Sequence, residues 1–174
     1  LFAGDYVLTV LILILYFAYT GQAWNIMMGF AGQLSLGHAL YVGLGAYTAA
    51  ALYVHFGLGP WIGLLVAIPV AAITGAFIGF LAFRFRVAGV YFAILTIAFA
   101  EFARVGFDHL GWTNASSGLF LPVAQYAHND LWQLRGHPVM FYYLLLTATV
   151  LAFVFCRALL KSRIGYFWLA IRED

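Results

Sequence analysis

The chain has 174 residues, 66% of them hydrophobic and 8% charged, with eight basic against six acidic residues for a net charge of +2. A soluble domain carries about a quarter charged residues, so fourteen ionisable side chains cannot cover a water-facing surface of this size, and lipid must replace water around most of it. The basic residues are spread along the chain without the clustering that nucleic acid requires, and the single cysteine, Cys156, supports neither a disulfide framework nor a metal site.

No Asp, Glu, Lys or Arg occurs between Asp5 and Arg84, a run of roughly 78 residues. One helix crosses the hydrocarbon core with about 20 apolar residues, so the run holds about three crossings and far exceeds the apolar region of a signal peptide. Backbone amides in hydrocarbon must be paired within their own segment, and these unalternating apolar runs exclude barrel strands. The expected fold is therefore all-α, a polytopic transmembrane helical bundle with about five spanning helices, at 6–29, 38–56, 61–83, 88–107 and 138–160. The chain starts on Leu and stops in a charged helix-like stretch, so 1–174 is read as an internal fragment forming part of one transmembrane domain.

Turn chemistry separates the spans. Gly32-Gln33-Leu34-Ser35-Leu36-Gly37 interrupts the first two, and Gly57-Leu58-Gly59-Pro60 ends the second before Trp61, a residue suited to a membrane interface. Arg84 and Arg86 mark one short link, and Arg157 at the end of the fifth span is followed by Lys161, Arg163 and Arg172. The positive-inside rule places both on the cytoplasmic side. Counting back puts 57–60 outside, 32–37 inside and Asp5 outside, and makes 108–137 the longest outer loop.

Trp24 to Ala50 is the most informative stretch, with glycines at 29, 32, 37, 43 and 45 among Asn25, Gln33, Ser35 and His38. Glycines let a helix break or let backbones approach closely, and the freed polar groups then need partners in protein or in a wet cavity. Packing glycines around a polar loop would account for the pattern, and so would a discontinuous segment lining a transport or conduction path. Composition and spacing do not separate a transporter from a channel.

Further along, Gly75 and Gly79, with Ala71 and Ala72 a turn earlier, predict a close helix contact, and Pro69 predicts a kink in the same span. Glu101 and Arg104 stand three apart on one helical face and are expected to pair near the outer end of the fourth span. His38 and His55 have no second ligand at metal spacing. No phosphate-binding glycine loop with Lys-Ser/Thr and no nucleophile elbow is present, so no enzyme activity and no cofactor is expected of this chain.

Three segments carry a family likeness. Asn25-x3-Gly29-x2-Gly32-x2-Ser35-Leu36-Gly37-His38-Ala39, then Gly43-x-Gly45-Ala46-Tyr47, resembles a signature of branched-chain amino acid ABC permeases. Gly89 to Glu101 is similar to that family's next hallmark, an aromatic and small-residue helix ending on Glu, and Lys161 to Asp174 resembles the start of its cytoplasmic coupling segment. Two departures stand out: Tyr166 occupies a position where members usually have a basic residue, and Asn114-Ala115-Ser116-Ser117-Gly118-Leu119 replaces a glycine-richer motif.

The resemblance implies a multi-pass subunit of the cytoplasmic membrane, set in lipid, that pairs with a second permease subunit. It further implies two ATP-binding cassette subunits, on which ATP is hydrolysed, and an extracytoplasmic binding protein that delivers the amino acid. The expected substrate path comprises Asn25, Gly29, Gly32, Gln33, Ser35, Gly37, His38, Gly45, Tyr47, Tyr91, Thr96 and Glu101. Ser35, Thr96 and the local aromatics would offer a zwitterion polar groups beside an apolar wall. Coupling to the ATPase is expected through 161–174, at Arg163, Gly165, Ala170, Arg172, Glu173 and Asp174. An ion-coupled carrier or a channel subunit is the rival class, and a non-transporting membrane scaffold a third.

Overall fold

The computed structural model of the chain describes residues 4–109 and 129–173. The described residues form α1 (Asp5–Asn25) with a π-helical turn (Ile26–Phe30), then α2 (His38–Phe56), α3 (Pro60–Arg84), α4 (Val90–His109), α5 (Pro138–Leu160) and α6 (Arg163–Glu173). All of α1 to α5 are long and apolar enough to cross a membrane, the first together with its π turn. The all-α bundle with five spans expected from hydropathy is thus the fold observed. Boundaries fall within a residue or so of expectation except at α4, which starts and ends two residues later. The Asn114 to Leu119 stretch of the expected outer loop, with His128, lies outside the described residues.

The chain divides into two compact units, one holding α1, the π turn, α5 and α6, the other α2, α3, α4 and the turn Asp130–Leu134. In the first unit α1 packs on α5. The Thr149 hydroxyl reaches both the Leu145 carbonyl of its own helix at 2.7 Å and the Leu15 carbonyl of α1 at 3.3 Å. Cys156 is buried, its thiol 3.9 Å from the Gln22 carbonyl. Pro138 opens α5 at the first helical position, where a missing amide costs nothing, and the His137 ring accepts from the Val139 amide as its cap. After α5, the Ser162 hydroxyl donates to the Leu159 carbonyl at 2.6 Å and accepts from the Gly165 amide at 3.4 Å, closing the corner into α6.

In the second unit α2 and α3 form an antiparallel pair joined by Gly57, whose φ of +65° is the left-handed value that lets α2 end in a tight cap. The cap is completed by the Leu58 amide donating to the Leu52 carbonyl at 3.3 Å, and Pro60 then opens α3. The close approach of this pair is at Gly63, where an added Cβ would stand 3.1 Å from both the Cα and the Cβ of Ala49. Gly75 faces the Tyr41 ring at ordinary contact distance, and Gly79 has only Phe83 of its own helix nearby, so the expected Gly75/Gly79 contact is displaced by three turns. Helix α3 runs unbroken through Pro69. The Trp61 indole, expected at an interface, donates to the Leu131 carbonyl at 2.9 Å and ties the Asp130–Leu134 turn to α3.

Ile78 and Ala82 of α3 and Phe92, Ala93 and Thr96 of α4 make the buried centre of this unit, and Phe77 meets Phe99 edge to face at 6.1 Å. Much large apolar surface stays uncovered, including Leu65, Ile73 and Phe80 on α3 and Phe102 on α4. In water such continuous greasy faces would drive association. In a bilayer they are the surface that lipid or neighbouring helices require.

Candidate functional site

In the first unit the glycine-rich stretch begins as a change of helix type. The Ala31 amide donates to the Ile26 carbonyl at 3.4 Å and Gln33 to Met27 at 3.1 Å, wider loops than the i to i−4 pattern. Single π turns of this kind frequently mark functional positions. The Asn25 side chain lies over Gly29 one turn on, where a Cβ would come 2.8 Å from the Asn25 Cγ. Gly32 then adopts φ +66°, which side chains disfavour, and the chain leaves the helix through Gln33.

In the second unit the rest of the break is pressed onto α4. The Leu36 amide donates to the Thr96 hydroxyl at 3.1 Å, and that hydroxyl donates to the Ala93 carbonyl at 2.8 Å. Ser35 and Thr96 are fully buried, with 0% and 1% of their surface exposed. A Cβ on Gly37 would overlap the Thr96 carbonyl, so only glycine lets the backbones come this close. Ser35, Gly37 and Thr96, sixty residues apart in sequence, are thus brought together. His38 starts α2 with its ring edge-on to Tyr41 at 6.2 Å.

Beyond this junction α2 and α4 open around a cleft of about 290 Å³. Ala39, Gly43 and Tyr47 line it from α2, and Ala100, Glu101, Ala103, Arg104 and Asp108 from α4. The small side chains at Ala39, Gly43, Ala100 and Ala103 leave the space between them unfilled, and nothing lies within 4 Å of a Cβ built on Gly43. Tyr47 stacks on Phe107 at 4.9 Å. Gly45 faces open space, and Tyr91, 75% exposed, is not among the cleft's lining residues, so Tyr91, Thr96 and Glu101 do not share one face.

The expected Glu101–Arg104 pair is present and larger. The Arg104 Nε donates to both Glu101 oxygens at 3.0 and 3.1 Å, its Nη2 to Oε1 at 2.6 Å, and its Nη1 to Asp108 at 3.1 Å. Hydropathy alone places Asp108 in the loop, and its spacing of four from Arg104 is the sequence signal for this pairing. Glu101 is the twelfth of the 20 residues of α4, about 12 Å short of the helix end at 1.5 Å per residue, so the pair is nearer the middle of the span than expected. An ionised group facing hydrocarbon is costly, and ion pairs along a helix surface return only a small part of that cost. Glu101 and Arg104 are largely exposed and Asp108 partly so, and within a bilayer the arrangement makes sense where the cleft admits water or a polar ligand.

Of the expected coupling residues, Arg163 and Ala170 are exposed on α6, Arg172 and Glu173 lie in its final turn, and Asp174 falls outside the described residues. Gly165 is buried at the α5–α6 corner, where a Cβ would lie 2.8 Å from the Leu160 Cα. Tyr166 and Phe167 are exposed, and α6 contacts the π turn within its own unit.

Five helices long and apolar enough to cross a membrane, with a glycine-built break between the first two, define a polytopic membrane protein. The chain belongs to the family described as branched-chain amino acid transport system / permease component, whose model matches residues 6–174. It is 33% identical over 175 residues to the high-affinity branched-chain amino acid transport system permease protein LivM of Escherichia coli (strain K12), covering 88% of this chain and 41% of that protein. The Salmonella typhimurium LivM is 31% identical with the same coverage. The chain therefore spans about two-fifths of the length of the curated relatives it matches. No solved structure matches it significantly.

Proposed function

We propose that the chain is part of the membrane-spanning subunit of an ATP-driven importer that moves branched-chain or related amino acids across the cytoplasmic membrane. The observation that carries this is the Leu36–Thr96 hydrogen bond beneath Gly37: two motifs that resemble permease hallmarks meet in one buried junction, within a chain of that family. The break is a fixed part of the helical unit, and the substrate passes beside it. One transmembrane domain extends through 1–174, with 161–174 opening the coupling segment.

ATP is hydrolysed on two partner subunits, and a second permease subunit completes the path that a binding protein loads. Contact of α6 with the π turn supports α6 as the element that receives the ATPase stroke, since a push there reaches the start of the glycine-rich break directly. Ionisable groups at mid-span also suit an ion-coupled carrier, which makes the energy source the discriminating property. Affinity purification of the intact protein from native membranes should bring ATPase subunits with it, and Gly165→Val should weaken that association by distorting the α5–α6 corner. A transport-competent complex without nucleotide-binding subunits would refute the proposal in favour of the carrier.

A further inference from the structure

We infer that the α2/α4 cleft is a subsite for an α-amino acid in transit, in which Glu101 and Asp108 hold the α-ammonium, Arg104 holds the α-carboxylate, and Ala39 and Gly43 face the aliphatic side chain. This rests on the importer proposed above and names the groups that touch its cargo. The cleft volume of about 290 Å³ stands at the lower end of small-molecule sites, which start at about 300 Å³. A single small metabolite fits; a peptide does not.

The chemistry of the lining selects among small molecules. Arg104 uses its Nε, one Nη2 and one Nη1 hydrogen on the two carboxylates, and a guanidinium has five N–H donors, so two remain for an incoming carboxylate. The cluster of one cation and two anions is net negative, which favours an ammonium beside that carboxylate. Glu101 and Arg104 keep 59% and 61% of their side-chain surface open, so a ligand in the cleft reaches both. Opposite them α2 presents Ala39, Leu40, Gly43 and Leu44, with the Tyr47 ring stacked on Phe107, and Gly43 leaves its volume empty although alanine would suit a helix better. Charge of both signs on one wall and apolar space on the other is the complement of a zwitterion with a hydrocarbon side chain. A plain amine, a carboxylic acid or a sugar satisfies only part of it.

The test uses the intact transporter with its binding protein and ATPase in proteoliposomes, carrying Ala103→Cys in a Cys156→Ser background and labelled with a small thiol reagent. Saturating leucine should slow labelling at 103 in proportion to its occupancy of the cleft, whereas isopentylamine and 4-methylpentanoate should not. Adding Glu101→Gln should remove the protection while the ATPase subunits still copurify. Gly43→Leu, which has room to fold, should block leucine uptake by filling the cleft. Leucine uptake in the parent complex without protection at 103, or undiminished uptake by Gly43→Leu, would overturn the subsite and leave the importer standing. Protection by the amine alone would convert the site to a cation site and equally overturn it. Absence of any ATP-dependent leucine uptake in the parent would instead strike the importer itself.

Discussion

At Gly37 the chain has room for a hydrogen and not for a methyl group. The overlapping atom is the Thr96 backbone carbonyl, which cannot swing away. Gly37→Ala should therefore cost about 1–3 kcal/mol, the range for overpacking a tight site, read as a lowered thermal midpoint of the purified protein in detergent. Gly29→Ala meets only the Asn25 side-chain amide, which can rotate, and should cost much less. Equal losses for the two would mean that the Gly37–Thr96 contact is not a fixed junction. Thr96 supports the same junction through its hydroxyl. Thr96→Val keeps shape but leaves the Leu36 amide without its acceptor, for about 1–3 kcal/mol, while Thr96→Ser should retain most of the stability.

Between helices, small residues decide how closely backbones approach, and the sequence does not announce which of them do so. Gly75 and Gly79 had the spacing of a packing motif, but the contact is made by Gly63 against Ala49. Gly63→Ala should loosen the α2–α3 pair, and Gly79→Ala should be neutral or stabilise by up to about 1 kcal/mol through helix propensity; thermal shift measurements on both separate these outcomes, and a larger loss at Gly79 would contradict the packing described. Helix existence and extent were legible because apolar runs of membrane length, bounded by Gly, Pro and Arg, leave little choice of structure. The break at 32–37 was equally legible from its glycines. Its partner was not: Thr96 is sixty residues from Leu36, and a hydrogen bond that long in sequence leaves no local mark. Asp108 was missed because hydropathy ended the fourth span two residues early, hiding its i, i+4 relation to Arg104. The π turn has no signature beyond glycine spacing.

For the molecule as a whole, five apolar spans with exposed greasy faces need a bilayer, and the family assignment says what kind of membrane protein fills it. The chain supplies about two-fifths of the length of its curated relatives. Its expected cytoplasmic corners, at Arg84 to Arg86 and at Lys161 to Arg163, are where partner subunits would meet it under the positive-inside assignment. Powered import is the central claim, and radiolabelled leucine uptake by the reconstituted complex tests it most directly. With loaded binding protein present, uptake should rise on adding ATP, stay at background with a non-hydrolysable analogue, and be insensitive to collapse of the ion gradients. Uptake that runs without ATP and stops when those gradients are dissipated would contradict it.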